Sequence, residues 1–429
     1  MLIHVVKQGE TLQSIADYYG ISIERLIIDN GLNINNTLVI GQTIVITYPE
    51  ITHIVQEGDT LGDIASTYQV SILQLYRNNP YLHDRVYLIP GEVIVIKYDT
   101  KGQISTHGNT LSFINQHTLR RTLPYLTYLS ILNYTATKDG EIITYYDETE
   151  IIRIAKEYSV VPLMLLTTLT IVGESNIDVF DELLLNTELQ NKQIENVFTI
   201  LKTKGYYGVN ISLEYINANN LTLFESYFRR ITERLGVEGY LVFVTINTNI
   251  SIGNNGVPFE VLDYTILYQI THNIIFMDFH WATSVGPPSP ISSIGEIDLF
   301  LSSTKNYISP DKEIIGLAII GYDWELPYYP GLSSVYTLTS DRVIDLARNV
   351  GAAIQFDDIS QTPYFRYVID NSGNLIVHIV WFIDARSINA LLSLVDKYKL
   401  NGIGIWNITI YNNQLWLIIN SQYDIVKLI

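Results

Sequence analysis

Glu214 closes an apolar, strand-like alternation, "YYGVNISLEYI" from Tyr206, that carries a single carboxyl. A carboxyl at the end of a strand can act as a general acid toward a leaving group, or it can be a hydrogen-bonded polar residue at the mouth of a fold. Two further acidic clusters stand out. Asp323 and Glu325 lie in "GYDWELPY", and Asp384 precedes Arg386 in "FIDARSI", where a local ion pair is the simpler reading. His280 in "MDFHW" could serve as a base or a ligand, but a lone His beside Trp281 is more often just hydrogen-bonded. No second His or carboxylate at ligand spacing supports a metal, so neither metal nor cofactor is expected. Trp281, Tyr322 and Trp406 are aromatic groups able to stack on a flat ligand face, with core or wall packing the alternative, above all for the first two.

The frame that must position these groups is large. The chain has 429 residues, 47% of them hydrophobic, which exceeds one typical domain and suffices for a sizeable core. Its net charge of −18 repels phosphate backbones and anionic bilayers, so neither nucleic acid nor membrane is expected as a partner. There is no cysteine, which excludes disulfides and thiolate metal sites. The opening "MLIHVVKQGETL" enters patterned sequence at once, without the pattern of a signal peptide, and the expectation is synthesis without one. No apolar run reaches membrane-spanning length.

An internal repeat organises the first hundred residues. "HVVKQGETLQSIADYYGIS" from His4 realigns with "HIVQEGDTLGDIASTYQVS" from His53, and Gly9/Gly58, Thr11/Thr60, Ala16/Ala65 and Asn30/Asn79 keep the same offset of 49. In each copy a short strand ends at Gly, and Thr11 or Thr60 is placed to cap a helix whose apolar residues recur at helical spacing. A second helix, a turn and a closing strand follow, "LVIGQTIVI" in one copy and "YLIPGEVIVI" in the other. The order strand, helix, helix, strand gives two units over 1–49 and 50–99.

The pattern V-x-x-G-[ED]-T-L-x-x-I-A with its trailing Asn resembles LysM, the glycan-binding module of cell-wall proteins. The resemblance implies that loops around 9–12 and 32–35, and around 58–61 and 80–82, hold N-acetylglucosamine-containing chains. It points to Gly9, Glu10, Thr11 and Leu12 in the first copy and to Gly58, Asp59, Thr60, Leu61, Pro80 and Tyr81 in the second. Read singly, the Gly, Thr and apolar positions are fully explained as turns, caps and core.

From about residue 100 to 429 apolar strands alternate with helical stretches. "ISTHGNTLSF", "YLTYLSILNY", "VPLMLLTTL", "YYGVNISL", "GYLVFVTIN", "NIIFMDFHW", "EIIGLAIIGYDW" and "NGIGIWNI" supply eight strands, which predicts an α/β fold, a (β/α)8 TIM barrel. A strand-rich segment at about 351–385 reads as a small α+β insertion between the seventh and eighth strands, walling one side of the cleft.

"IIGYDWELPYYPG" from Ile319, "WATSVGPPSPISSI" from Trp281 and "HIVWFIDARSI" from His378 resemble glycoside hydrolase family 18, in its LysM-bearing, spore cortex-lytic branch, over essentially the whole chain. The resemblance implies a substrate-assisted reaction. A Glu protonates the glycosidic oxygen while the sugar's own acetamido oxygen attacks the anomeric carbon. An Asp two residues earlier and a Tyr from the sixth strand hold the acetamido group. The usual fourth-strand pattern is D-G-x-D-x-D-x-E. Here Tyr207, Asn210 and Ser212 stand at its three Asp positions, and only the final acid, Glu214, survives. The sixth-strand pattern M-x-Y-[DE] reads "MDFH", with Phe279 for the Tyr and His280 for the acid. Ser212 brings no charge to set against the oxazolinium, and one preorganised electrostatic partner is worth roughly 10²–10³ in rate. Trp406 falls where the family has its sugar-stacking floor, and the segment of Asp323 and Glu325 looks structural.

The expectation is therefore a spore-envelope protein of coat or cortex that binds peptidoglycan or another N-acetylglucosamine-containing glycan, with a catalytically impaired barrel. Alternatives are an active N-acetylglucosaminidase acting on cortex fragments with Glu214 as general acid, and a structural coat or polymer-forming protein. The last would take other coat proteins or copies of itself as partners, in keeping with 31 Tyr and only 16% charged residues.

Overall fold

A computed structural model of the chain describes all residues except 86, 170–177, 214–215, 248–261, 278–285 and 372. The two repeats fold as βααβ units. In the first, β1 (Leu2–Val5) pairs antiparallel with β2 (Thr43–Ile46) around α1 (Leu12–Tyr19) and α2 (Ile23–Asn30). In the second, β3 (Ile51–Ile54) pairs with β4 (Val93–Lys97) around α3 (Leu61–Tyr68) and α4 (Ile72–Asn78). Thr11 and Thr60 accept from the backbone N–H three residues on, and Ser22 and Ser71 do the same for the second helices, so each helix start is capped as its sequence requires. The repeated Asn has a repeated task. The amide of Asn30 donates to Leu26 O and Val45 O and accepts from Val45 N, and Asn79 does likewise with Leu75 and Val95. Each buried amide ties a helix end to the closing strand.

The remaining chain is an eight-stranded parallel barrel. Its strands are β5 (Gln103–Leu111), β6 (Tyr128–Ala136), β8 (Val161–Thr167), β9 (Gly208–Leu213), β10 (Leu241–Asn247), β11 (Asn273–Met277), β12 (Glu313–Ala318) and β18 (Gly402–Trp406). The short β7 (Ile142–Thr144) runs antiparallel on the rim beside β6, and β18 pairs with β5 to close the ring. Inward side chains such as Leu163, Phe243, Ile275 and Ile314 fill the interior, and outward ones pack on the helices.

The seventh-strand candidate "EIIGLAIIGYDW" divides. Its first half is β12, ending beside Trp406. Its second half, β13 (Gly321–Leu326), joins another sheet with β14 (Val335–Leu338), β15 (Gln355–Asp357), β16 (Thr362–Asn371) and β17 (Asn374–Phe382). This five-stranded sheet and the helix Ser340–Asn349 form the insertion between barrel strands seven and eight. Apolar alternation runs unbroken through Ile319 and Ile320, so periodicity does not mark the turn. Asp323 is buried inside this lobe, accepting from Tyr367 Oη at 2.6 Å and lying 2.9 Å from His378 Nδ1. Asp384 caps the next helix and pairs with Arg386 at 2.6 Å. The short β19 (Asp424–Ile425) adds to β5 at the end of the chain.

Both repeat units dock on the helix Asn413–Asn420 that follows β18. Gln414 donates to Thr43 O and Asn30 Oδ1 of the first unit, while Asn420 donates to Asn78 Oδ1 and accepts from Arg77 Nε of the second. Arg25 ion-pairs with Asp29 within the first unit and reaches across to Tyr98 Oη of the second at 3.1 Å. The turn at Gly41 presses on the lobe. Gly41 has φ +84°, and a Cβ there would lie 2.0 Å from Ile354 O, whereas its counterpart Gly91, φ +90°, faces open space. Gly41→Ala is expected to cost about 1–3 kcal/mol more than Gly91→Ala in denaturant unfolding, because only the first adds overpacking to the shared backbone strain.

At the opposite end of the barrel from the mouth, Glu313 is fully buried, with Tyr268 Oη at 3.2 Å. Burial pushes its carboxyl up from 4.5 to about 8. Between those values the folded chain holds a proton that the unfolded chain releases, so stability falls as pH rises from about 4.5 to about 8. Glu313→Gln should flatten that stretch of the stability–pH curve. An unchanged slope would show that other groups set it.

Candidate active site

The mouth of the barrel lies at the C-terminal ends of its strands. Strand alternation turns Asn210 and Ser212 of β9 inward together. Asn210 is fully buried. Its amide donates to Ser130 Oγ at 3.1 Å and accepts from Thr245 Oγ1 at 2.9 Å. Ser130 Oγ also lies 2.8 Å from Nε2 of His107, whose pKa burial pushes down to about 3, so the imidazole is neutral at physiological pH. The result is an uncharged network spanning four barrel strands beneath the mouth. Ser212, beside Thr245 in register, is half-buried one step nearer the opening.

Trp406 ends β18 opposite Asn109 and is joined to Asn407 by a cis peptide bond. It is 8% exposed and packs with Leu132, Phe243, Ile275 and Met277, which makes it part of the floor. Tyr322 is 6% exposed in the lobe sheet, tilted against Trp324 with centroids 5.5 Å apart, so its ring packs the wall. Tyr207 sits at the N-terminal end of β9, partly exposed, with Lys156 Nζ 5.3 Å from its ring centroid, away from the mouth. Glu214, Phe279, His280 and Trp281 lie outside the described residues.

In the repeat units, the side chains singled out from the sequence are engaged internally. Glu10 accepts from Lys7 N at 2.6 Å and approaches His4 Nε2 at 2.9 Å. Asp59 accepts from Gln56 N at 2.7 Å and approaches His53 Nε2 at 2.7 Å. These bonds, led by the backbone N–H, lower both carboxyl pKa values. Thr11 and Thr60 are caps, and Leu12 is core, with Leu61 packed partly buried against the second core. Pro80 opens a short 3-10 turn, and Tyr81 leans its hydroxyl on Val93 O, with burial pushing that hydroxyl up to about 12. Gly9 and Gly58 stand open, with nothing within 4 Å of a would-be Cβ, so the backbone of these turns is what a ligand can approach.

Residue type alone did not bring out the network of His107, Ser130 and Thr245 around Asn210. Its signal was polar residues in apolar strands, in "ISTHGNT" and "YLSILNY". Near the mouth, fully buried Glu148 accepts from Asn133 Nδ2 at 2.6 Å and from Tyr134 Oη. Among the described residues no group of three or more His, Asp or Glu could hold a metal ion.

Comparison with known proteins places this geometry. Residues 94–410 match the family Glycosyl hydrolases family 18, and residues 4–47 and 53–97 each match the LysM domain. The chain is 30% identical over 429 residues to a cortical fragment-lytic enzyme of Bacillus anthracis, covering 98% of both chains. It is also 30% identical over 433 residues to the cortical fragment-lytic enzyme of Bacillus subtilis (strain 168), covering 100% of this chain and 99% of that one. The crystal structure of the Bacillus cereus spore cortex-lytic enzyme SleL superposes with a TM-score of 0.78 at 28% identity, over 99% of each chain. The chain thus belongs to glycosyl hydrolase family 18, as a member that carries two LysM domains ahead of its barrel.

Proposed function

We propose that the protein binds N-acetylglucosamine-containing peptidoglycan in a bacterial spore envelope, and that its barrel cleaves this glycan far more slowly than the family's chemistry allows. The observation that carries the reading is the uncharged inward pair Asn210 and Ser212 on β9, with Asn210 tied to Ser130 and Thr245. In a substrate-assisted reaction Glu214 would protonate the glycosidic oxygen as the acetamido oxygen attacks the anomeric carbon, and the oxazolinium that forms needs a neighbouring negative charge. The hydroxyl of Ser212 can orient an amide but supplies no charge, and Phe279 has no hydroxyl to offer. Two groups that serve one chemical step are replaced together. Binding makes smaller demands: a sugar face over the Trp406 floor and the open turns of the LysM units suffice. The spore setting and the glycan class rest on the two LysM matches and on relatives described as cortical fragment-lytic enzymes.

A second reading is favoured by full-length similarity to those lytic enzymes. In it Glu214 is the general acid of a working N-acetylglucosaminidase, and Ser212 with a water takes the place of the Asp. Cosedimentation with purified peptidoglycan, combined with hydrolysis by the variant Ser212→Asp with Phe279→Tyr, separates the two. The proposal expects cosedimentation of the unmodified chain and a gain in turnover of about 10²-fold or more on restoring both groups. No cosedimentation, or a restored variant no faster than the unmodified chain, would contradict it.

A further inference from the structure

The first LysM unit does not hang from the barrel. It forms one wall of a cleft with it. The loop after α2, with Asn33 and Asn36, faces the lobe helix Ser340–Asn349, with Asp341 and Asp345, and the start of the helix Asn413–Asn420, with Asn412 and Asn413, around a space of about 200 Å³. A second space of about 190 Å³ adjoins it, sharing Ser340, Asp341 and Asn412, and continues past Thr337 to Asn407 and Thr409 at the C-terminal end of β18. Together the two reach the size range of small-ligand sites, roughly 300–1,000 Å³. The groove so formed runs from a LysM loop to the rim of the barrel mouth, one residue past Trp406.

Its chemistry is selective. The walls mix amides, hydroxyls and carboxylates, which donate to and accept from sugar hydroxyls and acetamido groups, with apolar side chains such as Ile344, Ile320 and Leu338, which suit the faces of a pyranose ring. The cations nearby are engaged: Arg348 pairs with Asp345 and donates to Thr37 O at 2.8 Å, and Arg386 pairs with Asp384. Asp341 lines the groove beside Asp345, and the chain carries −18 overall. This balance disfavours an anionic ligand, while a neutral one meets hydrogen-bonding groups and apolar faces together. The groove is also held rigidly, because the docking bonds of Gln414 to Thr43 and Asn30, and of Ile354 N to Ile40 O at 2.8 Å, fix one wall against the other. A preformed site loses little on ordering. In the second unit the matching turn differs: Gly91 faces open space where Gly41 meets the lobe.

We infer that the first LysM unit and the barrel share one glycan site, a groove that takes a neutral N-acetylated oligosaccharide and leads it from the 32–36 loop to the barrel mouth. The inference rests on the proposed N-acetylglucosamine binding and adds where, and between which elements, the chain lies.

The test uses the full chain and two probes, the hexamer and the dimer of N-acetylglucosamine, with binding measured by calorimetry. Asn36→Trp and Asp341→Tyr each replace an exposed residue and obstruct the groove from opposite walls. Each should weaken hexamer binding at least tenfold and dimer binding less, because the dimer cannot span both walls, and the hexamer should protect 32–36 and 337–341 together in hydrogen exchange. If both variants bind the hexamer as the unmodified chain does, the shared groove is wrong while the glycan-binding reading stands. If the unmodified chain binds neither probe, both fall.

Discussion

The pairing of β18 with β5 closes the barrel, and the rest of the molecule depends on it. Gly402 meets Ser105 there so closely that a Cβ would lie 1.8 Å from Ser105 O, a distance no side chain tolerates. The same register sets Trp406 opposite Asn109, which puts the large ring at the floor of the mouth. The helix Asn413–Asn420, one loop further on, then receives both LysM units through Gln414 and Asn420. One stretch of about twenty residues therefore closes the ring, lays the floor and fixes the modules relative to it.

Beneath the mouth, the described polar groups that meet around Asn210 are neutral. His107 is held uncharged by burial, Ser130 links it to Asn210, and Asn210 takes the hydroxyl of Thr245. Such a network links its members without a buried charge, and it avoids the several kcal/mol that an unpaired carboxylate would cost in the same place. The stability of this interior and the proposed weakness of its chemistry have a common root. Charge that would stabilise an oxazolinium in the reaction would have to be held, and balanced, in the resting protein.

The sequence carried the fold well where the signal was periodic or repeated. The offset of 49 between His4 and His53 exposed two modules, and eight apolar runs marked eight barrel strands. It carried less where contacts are distant. Nothing in "NNQLWLIIN" tells that Gln414 and Asn420 will each hold a separate module, because both partners lie more than three hundred residues away. The LysM resemblance pointed to Glu10 and Asp59, and that each also accepts from a backbone N–H of its own turn is a local choice that residue type does not dictate. The break at Ile319 and Ile320 was hidden because a chain passing from one buried sheet to another keeps its apolar pattern. Of the site itself, Asn210, Ser212 and Trp406 were legible because a family pattern fixed their positions. The network beneath them was not, since polar residues in a strand can face either way.

The central claim is that glycan is held at the mouth but turned over slowly. It is tested most directly by mass spectrometry of N-acetylglucosamine-containing cortex fragments incubated with the unmodified chain and with Glu214→Gln. The account predicts that intact fragments dominate in both, with no difference between the two beyond slow background. Abundant cleavage products from the unmodified chain that disappear with Glu214→Gln would contradict it and establish Glu214 as the acid of a working hydrolase.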